Sequence, residues 1–368
     1  MDSFAFILHP LDPKADVARK YPTLARILPV GMIHFLSLYW PPVVLAHVRS
    51  IRSEATGKEV EGWLLACPLT TRRLLQVPPH VAYRKIIQTG RLAERLGARI
   101  LGLGAYTSVV GDGGITIAQA LRIPVTTGDS YTAALSVHTL LEAAAQMGVI
   151  PERATAAVVG ATGAIGGACA GLLAPRVRRL LLVGRRMEAL EEQQRQLSAL
   201  AAGPVEATTD ITEVRTADLV LTATSAGRPV LFPEHLKPGA VVCDVARPRD
   251  VSPRVHRERS DVLVVDGGLV ELPGRVSLGF NYGLPPGLTF GCIAETIALA
   301  LEGRFEDYTV GKRLDLERVR EIEHIATRHG FRPAPLHVLD RPIPPERIRS
   351  LRRERERPGV KENRNLSE

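Results

Sequence analysis

The chain has 368 residues, 45% hydrophobic and 23% charged, a globular composition long enough for two ordinary cores. Its net charge of +8 favours an acidic partner, and the sign alone does not choose between nucleic acid, anionic lipid and an acidic carrier protein. Cys67, Cys169, Cys243 and Cys292 lie far apart without metal-ligand spacing, which argues against a zinc site or a disulfide framework and for reduced thiols in a cytoplasmic protein.

In chain order, MDSFAFILHPLDPK lacks a basic stretch followed by an apolar one, so no signal peptide is expected, and Phe4 to His9 reads as a strand. Ile27 to Val48 carries no Asp, Glu, Lys or Arg. Pro29, Pro41 and Pro42 interrupt it, so it reads as a loop or short helix followed by a strand over Val43 to Ser50. This stretch is ordinary core, a greasy wall for a long apolar substrate, or a surface that touches a membrane. Strands are predicted over Glu61 to Cys67, Ala98 to Gly104 and Ile123 to Thr127, with a helix over His80 to Leu96. Gly128-Asp129-Ser130-Tyr131-Thr132 follows, and then a helix over Ala133 to Met147. Strands alternating with helices before residue 125 imply an α/β substrate domain.

Thr155 to Val159 is a short apolar strand followed by Gly160, Gly163 and Gly166. The first glycine permits a sharp turn, the second lets backbone approach a pyrophosphate, and the third lets a helix starting near Ala164 pack close. That helix aims free N–H groups, including those of Ala164 and Ile165 beside Thr162, at the phosphates. A second strand over Arg179 to Val183 completes a Rossmann βαβ unit. Where an NAD site places Asp or Glu, this chain places Arg185 and Arg186, which suit a 2′-phosphate, so the expected cofactor is NADPH. A helix over Met187 to Ala201 and strands ending in Thr222-Ala223-Thr224, Asp244 and Asp266-Gly267 continue the doubly wound pattern. Residues at such strand ends face the cofactor by topology.

Leu284 to Leu301 (LPPGLTFGCIAETIALAL) is a loop leading into an amphipathic helix, so Cys292 falls at the first turn. There the helix dipole and unpaired N–H groups favour a thiolate, so Cys292 is either a nucleophile or a packed thiol. Cys243 and Cys169 read as inert core, whereas Cys67 precedes Pro68 and is harder to assign.

The run Phe290 to Glu295 (FGCIAE), with GATGAIG at Gly160 to Gly166 and TTGDSYTA at Thr126 to Ala133, resembles the long-chain acyl-[acyl carrier protein] reductase family of cyanobacteria. Further similarity lies in GWLLACPLTTRR, LGLGAYTSVV, DGGLVE and RHGFRP, in collinear order from about His9 to Pro333. The resemblance implies NADPH-dependent reduction of a fatty acyl thioester, on carrier protein or coenzyme A, to a fatty aldehyde. It implies that Cys292 carries the acyl group, with Ser130, Tyr131 or Thr132 as the oxyanion donor. One departure is Asp129, where that family tends to carry Asn. An acidic carrier would suit the basic surplus, with Arg72, Arg73, Arg84 and Lys85 as docking residues, and no nucleic acid is expected.

Three other readings stay open. A shikimate or quinate dehydrogenase-like enzyme would use no covalent intermediate, and a silent NADPH sensor would bind without turnover. A glutamyl-tRNA reductase would need Cys67 as nucleophile. The expected layout is an α/β protein: 1–125 a substrate domain, 126–150 a connecting helix, and 151–285 a Rossmann domain. Residues 286–335 are expected as helices packing back on the substrate domain, and 336–368 as a basic disordered tail with no catalytic role.

Overall fold

A computed structural model describes residues 1–356. It divides into two compact units, Met1–Thr132 with Leu269–Arg332, and Ala133–Gly268 with the segment from Pro333 onward. The protein is α/β, and each unit carries its own largely parallel sheet.

The first unit is built on β1 (Asp2–Leu8), β2 (Val43–Arg52), β3 (Glu59–Ala66), β4 (Leu101–Leu103) and β5 (Val125–Thr126), in the order β2-β3-β1-β4-β5. All neighbours are parallel except the β2–β3 pair. The central strand β1 is an apolar run because both of its faces are covered. Ala5 and Ile7 join Ala82, Ile86 and Ala93 of the helix Pro79–Arg95 on one side. On the other side Phe4 and Phe6 fit only because Gly62 and Gly102 lack side chains. A Cβ on Gly62 would lie 2.4 Å from the Phe4 ring, and one on Gly102 2.3 Å from Phe6 and 2.2 Å from Thr296 Oγ1. The helix Gly291–Glu302 can therefore lie tightly across this face.

The second unit is a six-stranded parallel sheet of β6 (Thr155–Val159), β7 (Arg179–Val183), β8 (Val205–Thr208), β9 (Leu219–Thr222), β10 (Val241–Asp244) and β11 (Leu263–Asp266). Its order is β11-β10-β9-β6-β7-β8. Counted from β6, this is the 3-2-1-4-5-6 doubly wound arrangement, with the order reversing between β6 and β9.

Several expectations need correcting. The helix after β5 runs over Asp129–Gln146, so Ser130, Tyr131 and Thr132 lie in its first turn, not in a loop before it. The apolar stretch, by contrast, forms a short helix, Val30–Leu36, ahead of β2, as expected, and a further short helix, Pro22–Ile27, precedes it. Strand β8 had no sequence signal strong enough to separate it from the preceding helix. The second unit closes at Gly268 rather than 285, because Leu269–Glu271 pairs with Leu288–Phe290 in the first. The segment expected as a disordered tail is ordered over most of its length. His337–Val338 pairs with Arg341–Pro342, and Pro345–Glu356 is a helix that buries Ile348 and Leu351. Residues 357–368 of that expectation lie outside the described residues.

Candidate functional site

In the second unit β6 runs into Gly160, whose φ of +86° is open to glycine and strained for other residues. A Cβ there would lie 2.6 Å from Ala223 O on the neighbouring β9 loop, so this turn sits at the reversal of strand order. A Cβ on Gly166 would lie 2.2 Å from Gly160 O, which is why the helix Ala164–Leu173 can start so close to the strand. Its N-cap is Gly163, with no side chain to occupy the first N–H groups, and Thr162, Gly163, Ala164 and Ile165 are all partly or fully exposed. The result is a backbone anion cradle at a helix N-terminus. Arg185 and Arg186 are exposed at the end of β7 with no carboxylate among them. These residues fit a nicotinamide dinucleotide bearing a 2′-phosphate.

Not every residue assigned to the cofactor by topology presents a polar atom. Thr222 is fully buried, and its hydroxyl donates to Asp250 Oδ2 at 2.6 Å. Asp244 is buried and accepts N–H bonds from Ala246, Asp250 and Val251, so it braces the loop after β10. Burial pushes its carboxyl up to about 6. Gly267 is needed for packing, since a Cβ would meet Cys243 Sγ at 2.8 Å. Asp250, which sequence reasoning missed, also receives the Thr224 backbone N–H at 2.8 Å and its hydroxyl at 2.5 Å, and so shapes the loop facing Gly160.

In the first unit the parallel strands end at one edge, and their following loops carry the polar groups. His9 follows β1, Ala105-Tyr106 follows β4 and Thr127-Gly128-Asp129 follows β5. His9 accepts the Tyr106 N–H at 3.0 Å through Nε2, and burial lowers its imidazole to about 4, so it is neutral. Ala105, with φ +46° and ψ −123°, makes the sharp turn from β4 into the next helix. Strain of this kind collects at functional edges.

Cys292 differs from the other cysteines in its exposure. The helix Gly291–Glu302 is buried from Gly291 to Leu301 at every position but Cys292, which is half-buried; Cys67, Cys169 and Cys243 are wholly buried. Burial pushes Cys67 up to about 11. Gly128, at φ +73°, presses against the start of the same helix, and a Cβ there would lie 2.2 Å from Cys292 Cα. Asp129 follows directly and is part-buried, and one helical turn beyond the cysteine lies the fully buried Glu295. Glu295 accepts the Thr126 hydroxyl, the Tyr131 N–H at 2.9 Å and the Thr309 hydroxyl at 2.7 Å. Burial raises Glu295, and burial with the Glu295 charge pushes Asp129 up to about 7. Burial and the Asp129 and Glu295 charges push the Cys292 thiol up to about 12, against the N–H groups of Ile293 and of Cys292 itself.

This corrects the expectation of a dipole-stabilised thiolate. Burial and the charges of two carboxyls raise the thiol, against the pull of the N–H groups at the helix N-terminus. Ser130 and Tyr131 are buried. The Ser130 hydroxyl shares a 2.9 Å hydrogen bond with Thr309, and the Tyr131 N–H holds Glu295. Thr132 is part-exposed, and its hydroxyl donates to Gly128 O at 2.8 Å. Asp129 is the polar group beside the sulfur, and its only sequence signal was a carboxylate where an amide was expected. Of the expected docking residues, Lys85 donates to Trp40 O at 2.9 Å and Arg73 to His34 O at 3.1 Å, while Arg72 and Arg84 are exposed.

Of the comparisons with known proteins, a family match falls within the second unit. A family model described as shikimate / quinate 5-dehydrogenase matches residues 142–267. Over 312 residues the chain is 34% identical to the aminotransferase PigE of Serratia sp., spanning 82% of this chain and 36% of that protein. Over 314 residues it is 28% identical to the long-chain acyl-[acyl-carrier-protein] reductase of Synechococcus elongatus, spanning 81% of this chain and 89% of that one. A solved shikimate 5-dehydrogenase from Listeria monocytogenes, in complex with shikimate and NAD, is similar at TM-score 0.38 and 11% identity over 88% of this chain and 96% of that one. The second unit is thus a doubly wound NAD(P)-binding domain of the kind found in oxidoreductases, and its residues fit NADP(H).

Proposed function

We propose that the protein reduces a fatty acyl thioester to an aldehyde with NADPH, through an acyl group carried on Cys292. The observation that carries this is the emergence of one half-buried thiol from an otherwise buried helix, at the sheet edge where Asp129 sits. Similarity to the Synechococcus reductase along most of that enzyme supports it. Cys292 Sγ attacks the thioester carbonyl carbon while the Asp129 carboxylate takes the thiol proton. The bond from that carbon to the carrier sulfur breaks, and the carrier leaves with a proton returned from Asp129. Burial and the neighbouring carboxyl charges disfavour the thiolate, so an acceptor for the thiol proton assists the attack.

Bound NADPH supplies a hydride to the acyl carbon. N–H groups at the mouth of the helix Gly291–Glu302 then face the developing oxyanion, and collapse of the thiohemiacetal anion frees the aldehyde and a Cys292 thiolate, which takes a proton from solvent to regain its thiol. An acidic acyl carrier protein is the substrate form that suits a chain of net charge +8.

The test is intact-mass measurement after incubation with palmitoyl-carrier protein alone. One acyl increment is expected, absent in Cys292→Ala and discharged as aldehyde on adding NADPH; no increment sinks the proposal. The shikimate and quinate match favours a second reading, an alcohol dehydrogenase without a covalent step. That match covers only the cofactor unit and its approaches, and the reading requires Cys292→Ser to keep full activity.

A further inference from the structure

We infer that the short helices Pro22–Ile27 and Val30–Leu36 form a docking surface for an anionic lipid bilayer, separate from the cysteine edge in its chemistry. The helix Val30–Leu36 (VGMIHFL) is apolar apart from His34, a pattern that belongs in a core or a membrane. Its inner face is fixed. Ile33 and His34 are buried, His34 Nδ1 pairs with Thr70 Oγ1 at 2.8 Å, and Arg73 Nε donates to His34 O. Its outer face is bare. Phe35 is 50% exposed and packs on Tyr39, which is 70% exposed, with Met32 beside them and Ile27, 72% exposed, on the preceding helix.

Charge complementarity selects the occupant. From Val17 to Ser53 there is no Asp or Glu, and Lys20 and Arg26 are exposed just before and on the helix Pro22–Ile27, while Arg19 is ion-paired to Asp16. Arg72 lies close enough to help lower His34 below its usual value, after burial itself, and is exposed beside the same helix. A greasy face with the exposed Arg26 and Arg72 beside it, and with Tyr39 and Trp40 following in the same segment, is the pattern of an interfacial helix on acidic headgroups. Among the described residues no helix is long and apolar enough to cross a membrane, so the contact is peripheral. Four protruding apolar and aromatic side chains favour a hydrocarbon boundary over an acidic protein, whose docking would rest on the charges alone.

The test is flotation of the full chain with phosphatidylcholine vesicles, with and without phosphatidylglycerol. It involves no reaction, so its outcome is independent of the thioester reading. Binding to the anionic vesicles is expected, weakened by salt and reduced about tenfold or more in Phe35→Glu. Leu200→Glu, at an exposed apolar site in the other unit, is expected to bind as the parent does. Because the chain has only two tryptophans, Trp63→Phe leaves Trp40 as the reporter, and its emission is expected to shift to the blue on binding. Thermal melts establish that Phe35→Glu is folded. Absence of binding, equal binding by Phe35→Glu, or binding of an acidic carrier protein at this face without vesicle binding would each overturn the inference.

Discussion

The two units solve the same problem, presenting chemistry at the carboxyl edge of a parallel sheet, with opposite materials. The second unit clears side chains away: Gly160, Gly163 and Gly166 expose backbone N–H groups and a helix N-terminus. The first unit crowds them in, with Glu295, Thr126, Thr309 and Ser130 interlocked beneath Asp129 and Cys292. Backbone recognition of a dinucleotide needs little from distant parts of the chain, whereas a tuned thiol needs groups from β5, the following helix and the C-terminal helices at once.

That contrast can be broken most sharply at the sulfur. Cys292→Ser is expected to lower aldehyde formation by about a thousandfold or more while leaving NADPH affinity unchanged, read by turnover and by cofactor fluorescence titration. Gly166→Val should do the reverse. Its side chain meets the Gly160 carbonyl, so NADPH binding is expected to fall by about a hundredfold while acyl transfer to Cys292 persists in the mass assay.

Arg185→Glu with Arg186→Glu is expected to weaken NADPH by about ten- to a hundredfold and NADH far less, measured as the ratio of KM values. An unchanged ratio would remove these arginines from cofactor choice. Asp129→Asn is expected to change the shape of the pH profile and not only its height. Acyl transfer in the parent is expected to rise with pH through about 7 as Asp129 loses its proton, and this step should vanish in the variant. The same carboxyl is held above its ordinary 3.8, so the fold binds more protons than the unfolded chain between about 4 and 7, and stability falls as pH rises through that window. Asp129→Asn is therefore expected to raise the melting temperature by a few degrees above pH 7 and not below about 4, at the expense of acylation.

How much could be read from the sequence follows the same line. Strand β7 (Arg179–Val183) and the glycine turn stand where their residues place them, because apolar runs and unsubstituted backbone act locally. The thiol was placed correctly at a helix start, yet its ionisation was inferred with the wrong sign. The helix dipole is a local feature visible in FGCIAE, while Asp129 lies more than 160 residues earlier and Glu295 is held by Thr126, Tyr131 and Thr309. Ser130 stood among three candidate oxyanion donors for the same reason: the loop-like composition of Gly128 to Thr132 conceals a helical turn whose buried side is set by Thr309.

The C-terminal segment has its own consequence. His337–Val338 lies beside β11, the outermost strand of the six-stranded sheet, and the Asp340 N–H donates to Asp266 at 2.7 Å while its carboxylate meets Arg249 at 2.9 Å. A bare flank of this kind invites stray strands from neighbouring molecules. By folding back over it, the chain carries its own bumper against sticking, on the side where the sheet would otherwise grow.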